Sequence, residues 1–473
     1  MGKGLSRNGK RSDGVRTTPA DEADLSSYAR AQEALSVTLV PRLISNGQER
    51  RMFVAAFDGT GNSMEEDPVP TNVGRTVDGL AEAFGRDNER VRFAYVQGVG
   101  TQENVVVRTL DAAVGATYEP RIEKMYLDLI HAAKLWRQED PQAQISLAGI
   151  GFSRGAVQAA GFARLVHERG IQDPDGMRHV RGDDGRMELV FTKPPLVPPG
   201  QVPQVLGLFD PVATGIPALD DVRIPPSVLS AFQISAEDER RDWFPGMDIV
   251  PRGLSDNGRF LNVVVGGAHC DIGGGYRLDG LSVRAGNLMT DYLNALSDRP
   301  LLAKRAVPED PAMNVVHRSE DHLPIYSTLR FRFGGGRTHM PPADGSLLCS
   351  MGFACAEPEP VDRLLASRFD YRPVAIGPVP VAKVVETAGP ATSYEAVTQE
   401  VQQLFERLAT AAGQRDPQAM RSTGREFLAT DAGRDWRDSG QRHAEVPVIP
   451  SRQAETEHGL ANEPLRPVQA LRL

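Results

Sequence analysis

The sequence contains few cysteines and no long apolar run. Among its 473 residues there are three cysteines, Cys270, Cys349 and Cys355. This number is too small for a disulfide framework, and free thiols are expected, although Cys349 and Cys355 are close enough in sequence to pair. No Cys-x-x-Cys or His-x-x-x-His spacing accompanies them, so neither a metal site nor another cofactor is predicted. No run of about 18 apolar residues is present, so no membrane-spanning helix is predicted.

An excess of basic charge is also lacking. The 53 lysines and arginines are outnumbered by 62 aspartates and glutamates, which gives a net charge of −9. Apart from a short basic stretch near the N-terminus there is no basic stripe, so nucleic acid is not expected as a partner. No apolar segment follows that basic stretch, so no cleaved secretory signal peptide is predicted.

Between residues 35 and 300, short apolar runs alternate with segments of helical periodicity. Apolar residues recur on one face over residues 121–136, and a second helical segment, residues 156–169, ends before Gly170. Strands that are apolar throughout are typical of a parallel sheet with both faces covered. The pattern therefore predicts an α/β fold with a mostly parallel sheet and helices on both faces. The predicted strands are residues 50–57, 91–96, 145–150, 205–209 and 261–265.

Two polar stretches that contain prolines interrupt this alternation. Residues 173–204 and 214–258 are predicted to be lid-like insertions outside the sheet. Farther along, residues 325–333 have strand character, and residues 393–412 have the periodicity of an amphipathic helix. The predicted organisation is a flexible leader at 1–34, a catalytic domain at 35–355, a linker at 356–392, a helical appendage at 393–440 and a flexible tail at 441–473.

A serine motif stands at the end of one predicted strand. Residues 151–155 read Gly-Phe-Ser-Arg-Gly and are followed by a predicted helix. The Gly-x-Ser-x-Gly spacing serves a sharp turn that exposes the serine hydroxyl, and its glycines relieve crowding. A serine hydroxyl is a poor nucleophile until a base takes its proton. The strand before the motif and the helix after it predict that Ser153 is the nucleophile of a serine hydrolase rather than an ordinary turn serine.

An acid and a base follow Ser153 at the ends of later predicted strands. Asp210 and His269 each come soon after an apolar strand, and the carboxyl ends of parallel strands share one edge of a sheet. The chain order Ser…Asp…His is that of α/β-hydrolases. We predict that His269 is the general base and that Asp210 orients its imidazole. His317 remains the alternative base, and Asp271 the alternative acid.

Backbone amides are expected to form an oxyanion hole. One donor is predicted at Arg154, directly after the nucleophile, and the second at Gly59, in the Asp-Gly-Thr-Gly-Asn turn of residues 58–62. A glycine-rich turn of this kind also suits phosphate binding, but it lacks the lysine and the spacing of a P-loop. The oxyanion role is the favoured interpretation, and the role of Asp58 itself is left open.

Five stretches in order carry a resemblance to a known family. The stretches are Phe-Asp-Gly-Thr-Gly-Asn at 57–62, Gln-Gly-Val-Gly-Thr at 97–101, Gly-Phe-Ser-Arg-Gly-Ala at 151–156, Phe-Asp-Pro-Val at 209–212 and Gly-Ala-His-Cys-Asp-Ile-Gly-Gly-Gly-Tyr at 267–276. With these stretches the chain resembles, over about residues 50–340, a bacterial family of α/β-hydrolase domains that includes the first class of type VI secretion lipase effectors.

The resemblance implies a function as well as a fold. Members of the family are phospholipases with a Ser-Asp-His triad, which falls here on Ser153, Asp210 and His269. They cleave acyl esters of membrane glycerophospholipids, are delivered into competing bacteria, and are blocked in the producer by an immunity protein. Cys270 and Pro211 depart from the residues usual in the family, and neither departure removes a catalytic group.

The expected substrate is therefore a phospholipid at a membrane surface. An immunity protein and a component of the secretion apparatus are the expected partners. The protein is expected to be cytoplasmic in the producer and to leave without a cleaved signal peptide. Two alternatives stay open, namely a cytoplasmic esterase or thioesterase with a soluble substrate, and a hydrolase-fold protein that acts by binding.

Overall fold

The structure of the protein is a computed structural model. It describes residues 13–45, 49–59, 69–85, 88–98, 118–181, 187–212, 221–242, 244–321, 328, 336–342, 345–346, 349 and 360–380. All of these residues lie in the first of the two units into which the chain divides, Met1–Val384.

A seven-stranded sheet forms the centre of this unit. The strands of the described residues, in chain order, are β1 Thr17–Pro19, β2 Leu39–Pro41, β3 Arg50–Phe57, β4 Val91–Val96, β5 Gln144–Phe152, β6 Met177–Arg181, β7 Met187–Phe191, β8 Gln204–Phe209, β9 Val228–Ala236, β10 Gly246–Met247, β11 Gly253–Leu254, β12 Phe260–Val265, β13 Val315–His317, β14 His339–Met340 and β15 Tyr371–Pro373. The order of the central sheet is β11-β12-β9-β8-β5-β3-β4, and every neighbouring pair is parallel except β11 with β12.

Helices cover both faces of the central sheet. Tyr28, Val73 and Tyr292 contribute to the hydrophobic core on one face, whereas Trp136 and Phe162 contribute to the core on the other. The helices are α1 Glu22–Ser36, α2 Asn72–Phe84, α3 Tyr118–Glu139, α4 Arg154–Arg169, α5 His269–Gly273, α6 Gly280–Asn294 and α7 Arg363–Ala366. Helices α1, α2 and α6 lie on the first face, and α3 and α4 on the second.

The predicted fold class is confirmed. Strands β3 and β4 occupy the predicted residues, and the other three predicted strands differ from the prediction by only one or two residues at their ends. Every residue of β8 is buried, as is expected for a strand covered on both faces. The described part of the first unit has an α/β-hydrolase-like fold with a mostly parallel sheet.

The prediction of a flexible leader is wrong for residues 13–34. Helix α1 begins after Asp21, whose carboxylate accepts from the amide of Asp24, while the Asp24 carboxylate accepts from the amide of Asp21. This reciprocal cap accounts for the polar composition that suggested a leader. Tyr28 and Leu35 are buried in the core, so the segment is part of the domain.

The second predicted insertion, residues 214–258, is also partly wrong, because it contains strand β9 of the central sheet. All nine residues of β9 are buried, including Ser230, Gln233 and Ser235. The side chain of Gln233 donates to the carbonyl of Met247 and accepts from the amide of Val250. These polar side chains find buried partners and are therefore compatible with a central strand. The prolines that suggested an insertion lie before and after β9.

The first predicted insertion, residues 173–204, contains a hairpin of β6 and β7 that is separate from the central sheet. The strand β6 is mostly exposed. A role for this hairpin as a lid stays a prediction.

The predicted linker is wrong for residues 360–380. Here β15 pairs antiparallel with β2, and Leu365 and Val374 are buried in the main core. The appendage, the tail and most of residues 325–333 lie outside the described residues.

One expectation about the cysteines is also corrected. Cys349 is disulfide-bonded, whereas Cys270 is a free thiol. Among the described residues, no helix is both long and apolar enough to cross a membrane.

Candidate active site

Ser153 and Asp210 lie side by side at the carboxyl edge of the sheet. The last residues of β5 and β8, Phe152 and Phe209, are register partners. The amide of Ser153 donates to the carbonyl of Phe209 at 3.0 Å, and the amide of Asp210 donates to Ile234 of β9 at 2.7 Å. The parallel register thus carries the predicted nucleophile and the predicted acid to neighbouring strand ends.

The backbone at Ser153 has the strained turn that the motif predicts. Ser153 has φ 59° and ψ −126°, a conformation that L-residues other than glycine rarely adopt. It connects β5 directly to α4, so the serine stands at the tip of a strand-to-helix turn. Backbone strain of this kind costs about 1–3 kcal/mol and persists only where the surrounding structure enforces it.

The two glycines of the motif explain how the turn fits. A Cβ on Gly151 would overlap the carbonyl group of Gly155, and a Cβ on Gly155 would overlap the carbonyl oxygens of Phe57 and Asp58. The first turn of α4 therefore packs directly on the end of β3. Glycine is therefore needed at both positions of the motif for α4 to approach β3 this closely.

Asp210 and His269 form a buried pair. Nδ1 of His269 donates to Oδ2 of Asp210 at 2.5 Å, and the two side chains are 4% and 1% exposed. The imidazole packs against the ring of Phe152, with 4.6 Å between the ring centroids. Because Phe152 directly precedes Ser153, the imidazole lies beside the strand end that carries the serine. Among the described residues, no hydrogen bond joins Ser153 to His269, so that contact of the triad stays a prediction.

Asp210 is held by more donors than the sequence suggested. The amide of Ala236 donates to Oδ1 at 2.8 Å. The guanidinium of Arg337 donates to Oδ1 at 2.6 Å and to Oδ2 at 2.9 Å. Burial raises the pKa of Asp210, but the charge of Arg337 and the hydrogen bond from His269 outweigh burial and hold that pKa well below its usual range. Asp210 is therefore a carboxylate at every ordinary pH.

Burial governs the imidazole of His269. It lowers the pKa of His269 from 6.5, against the opposing influence of Asp210. The neutral imidazole, which is the form that accepts a proton, is favoured accordingly. The adjacent thiol is no rival nucleophile, because burial raises the pKa of Cys270 to about 12.

The two residues left open as alternatives bind each other. Nδ1 of His317 donates to Oδ1 of Asp271 at 2.5 Å, and its Nε2 lies 3.3 Å from Oδ2 of Asp13. The ring stacks on Tyr276 with 3.9 Å between centroids. Because both ring nitrogens of His317 face carboxylates, neither nitrogen is available to take a proton from Ser153. This arrangement favours His269 as the base and Asp210 as the acid.

The predicted oxyanion donors, Gly59 and Arg154, follow the ends of two neighbouring strands, β3 and β5. Arg154 is the first residue of α4, and the N–H groups of a first turn are not used within the helix. The amide of Gly59 donates to Oδ1 of Asp58 at 2.6 Å. The other oxygen of Asp58 accepts from Thr71 and Tyr95. Asp58 thus holds the amide of Gly59, and the oxyanion role of Gly59 remains a prediction.

No metal ion is suggested by the side chains. Within the described ranges, no group of three or more histidine, cysteine or acidic side chains is arranged to hold one. The residue that sequence reasoning missed is Arg337. It stands in a glycine-rich loop 127 residues after Asp210, and no local pattern indicates such a partner.

Comparisons with known proteins give a family match over part of the chain and several matches to solved structures. Residues 51–183 match the family described as T6SS phospholipase effector Tle1-like, catalytic domain. No curated protein matches the chain. Among solved structures, an uncharacterized protein from Pseudomonas aeruginosa is 18% identical, with 89% of this chain and 67% of that chain covered and a TM-score of 0.36. The Tle1 effector bound to the VgrG spike of the type 6 secretion system is 22% identical, with 48% and 51% covered and a TM-score of 0.30.

A third solved structure, dienelactone hydrolase from Anabaena variabilis, is 15% identical, with 54% of this chain and 88% of that chain covered and a TM-score of 0.25. The chain spans about half the length of the Tle1 effector. The family match over residues 51–183 includes Gly59, Ser153 and Arg154. Over those residues the chain is similar to the Tle1-like phospholipase effectors of type VI secretion systems, and the resemblance that the sequence motifs carry is confirmed.

Proposed function

We propose that the protein is a serine hydrolase that cleaves acyl esters of membrane phospholipids. The observation that carries the proposal is the placement of three groups at one edge of the sheet. Ser153 stands on a strained strand-to-helix turn, Asp210 ends the neighbouring strand, and the imidazole of His269 is bound to Asp210 and packed on the residue before Ser153.

The first half of the reaction forms an acyl-enzyme. Oγ of Ser153 attacks the ester carbonyl carbon, and Nε2 of His269 takes the hydroxyl proton. Asp210 holds the imidazole by its Nδ1 and stabilises the imidazolium that forms. The tetrahedral intermediate then collapses as the C–O bond to the lysophospholipid breaks, and His269 returns the proton to the departing alcohol oxygen.

The second half releases the fatty acid. Water attacks the acyl carbon with His269 as base, and the Ser153 oxygen leaves and regains a proton. In both halves, negative charge develops on the former carbonyl oxygen. The amides of Arg154 and Gly59 are the proposed donors to that oxygen, and Gly59 has to exchange its bond to Asp58 for one to the substrate.

The family match supports phospholipid as the substrate class. The matched family is one of phospholipase effectors, and the match includes the segment with the nucleophile. We extend the proposal to the context of that family. The producing cell delivers the protein into competing bacteria through a type VI secretion system, a spike component is its partner for export, and an immunity protein protects the producer.

Fatty acid release from vesicles tests the proposed activity. Purified protein is incubated with phosphatidylethanolamine and phosphatidylglycerol vesicles and, separately, with short soluble esters. We expect release from the vesicles that falls by at least about 10³-fold in Ser153→Ala. Ser367→Ala, which removes an exposed serine hydroxyl far along the chain, is the matched control and should match the wild type.

The other outcomes of this assay are equally informative. Hydrolysis of soluble esters alone would replace phospholipid with a soluble substrate. Activity on neither substrate, with folded wild-type protein, would contradict the proposed enzyme.

A further inference from the structure

The carboxylate of Asp210 has a cationic partner, Arg337, in addition to the imidazole of His269. Arg337 makes two hydrogen bonds to it, one to each oxygen, in the forked geometry that suits a guanidinium and a carboxylate. The side chains of Arg337 and Asp210 are 3% and 1% exposed, so water screens this ion pair little. With His269 and the amide of Ala236, each oxygen of Asp210 accepts two hydrogen bonds.

Arg337 is itself fixed by the loop that follows β9. Its Nε donates to the carbonyl of Phe244 at 3.1 Å, and its Nη1 donates to the carbonyl of Ala236 at 3.0 Å. The next residues form β14, which pairs with β10. The ring edge of Phe244 in turn faces His269, with 5.4 Å between centroids. The guanidinium of Arg337 therefore connects the acid Asp210 to the loop segment at Phe244, which lies beside the base, and to the late segment that contains β14.

We propose that Arg337 is a positioning residue of the triad, which fixes the carboxylate of Asp210 toward His269 and offsets its charge. This inference rests on the proposed function. A carboxylate that lost the guanidinium would keep only the amide of Ala236 and His269 as donors, and it would be free to turn. Its charge would then act on the imidazole alone and would hold a proton there more tightly.

Other charged groups also lie near His269. Glu239 and Arg241 form a buried ion pair with each other at 2.8 Å, and Arg241 stacks on Phe244. Asp271 is taken by His317. Arg241 lowers the pKa of His269 and Glu239 raises it, whereas Arg337 acts on Asp210, whose charge it chiefly balances. Removal of Arg337 would therefore leave the charge of Asp210 uncompensated beside His269.

The pH profile of kcat/KM on a soluble ester separates positioning from simple support of the fold. In Arg337→Gln we expect the acidic limb of the pH profile to move to higher pH by about one unit, because the imidazole of His269 should keep its proton up to a higher pH. Arg337→Lys keeps the positive charge but cannot donate to both carboxylate oxygens in the forked geometry of a guanidinium. The acidic limb of its pH profile should therefore stay near that of the wild type, while its kcat falls. Arg252→Gln, which changes an exposed arginine, is the matched control.

Two results would overturn the inference. One is an Arg337→Gln variant whose activity falls equally at every pH with no shift of the limb. The other is an Arg337→Lys variant with the kcat of the wild type, which is also the deciding result if the glutamine variant does not fold. NMR titration of His269 in the Ser153→Ala background, with and without Arg337→Gln, measures the corresponding shift in the pKa of His269 in the absence of catalysis. A failure of the proposed activity is thereby distinguished from a failure of this inference.

Discussion

Asp271 lies two residues after His269, yet its carboxylate binds the imidazole of His317, with 2.5 Å between Oδ1 and Nδ1. The carboxylate that binds His269 comes instead from Asp210, 59 residues earlier in the chain. The site therefore contains two separate acid–histidine pairs. One stands at the nucleophile, and the other joins the N-terminal segment, through Asp13, to helix α5, which carries Asp271.

The two histidines are expected to respond to substitution in opposite ways. His269→Gln removes the proposed base but leaves Asp210 paired with Arg337, so activity should fall by several orders of magnitude while the free energy of unfolding changes by about 1 kcal/mol. His317→Gln leaves Asp13 and Asp271 buried without their cation, so it should cost on the order of 3 kcal/mol. Urea unfolding and ester hydrolysis measure the two quantities, and the reverse pattern would assign the base to His317.

The pair at His317 also predicts a pH dependence of stability. Burial lowers the pKa of His317, but the hydrogen bonds to Asp13 and Asp271 outweigh burial and raise that pKa from 6.5 to about 9. A pKa raised on folding stabilises the fold fully below pH 6.5 and loses that stabilisation as the pH rises toward 9.

Unfolding of the wild type and His317→Gln at several pH values tests this dependence. The difference between their free energies of unfolding should be largest near pH 6 and should shrink toward pH 9.5. A difference that stays constant across this range would show that His317 carries no extra proton in the folded protein.

Asp210→Asn tests the proposed acid. The amide cannot favour the imidazolium, so kcat should fall on the order of 10⁴-fold. It also leaves the guanidinium of Arg337 buried without a counter-charge, so stability should fall as well. Asp256→Asn, at an exposed position, is the control for both measurements. An Asp210→Asn variant with near-normal kcat would remove Asp210 from the triad.

Gly155→Ala tests the steric account of the nucleophile turn. The added Cβ would overlap the carbonyl oxygens of Phe57 and Asp58, which are backbone atoms and cannot move alone. We expect a loss of about 3 kcal/mol in the free energy of unfolding, at the upper end of the range for overpacking. Gly336→Ala is the matched control, because a Cβ there meets nothing within 4 Å. Equal stability of the two variants would contradict this packing.

The sequence predicts the strands and the site residues that have local signals. Strand β5, the turn at Ser153 and helix α4 follow one another in the chain, so their patterns reinforce each other. Strand β9 was missed because the prolines before and after it, such as Pro226 and Pro245, suggested an insertion, and its pairing with β8 and β12 becomes visible only in the folded chain. Helix α1 was missed because its capping residues make the segment polar.

Arg337 shows the limit of such reasoning within the site itself. Its bond to Asp210 depends on a late segment that returns to the sheet edge and pairs with β10. No spacing in the sequence encodes that return, whereas the strand ends that carry Ser153 and Asp210 are fixed by the register of one parallel pair. Contacts made by the sheet are therefore more predictable than contacts made by its loops.

Covalent labelling of the nucleophile tests the central claim most directly. The protein is treated with a fluorophosphonate probe, which captures activated serines, and the adduct is located by peptide mass spectrometry. We expect a single adduct on Ser153, with labelling lost in Ser153→Ala and strongly slowed in His269→Gln. An adduct on another residue, or labelling of Ser153→Ala at the rate of the wild type, would contradict the account.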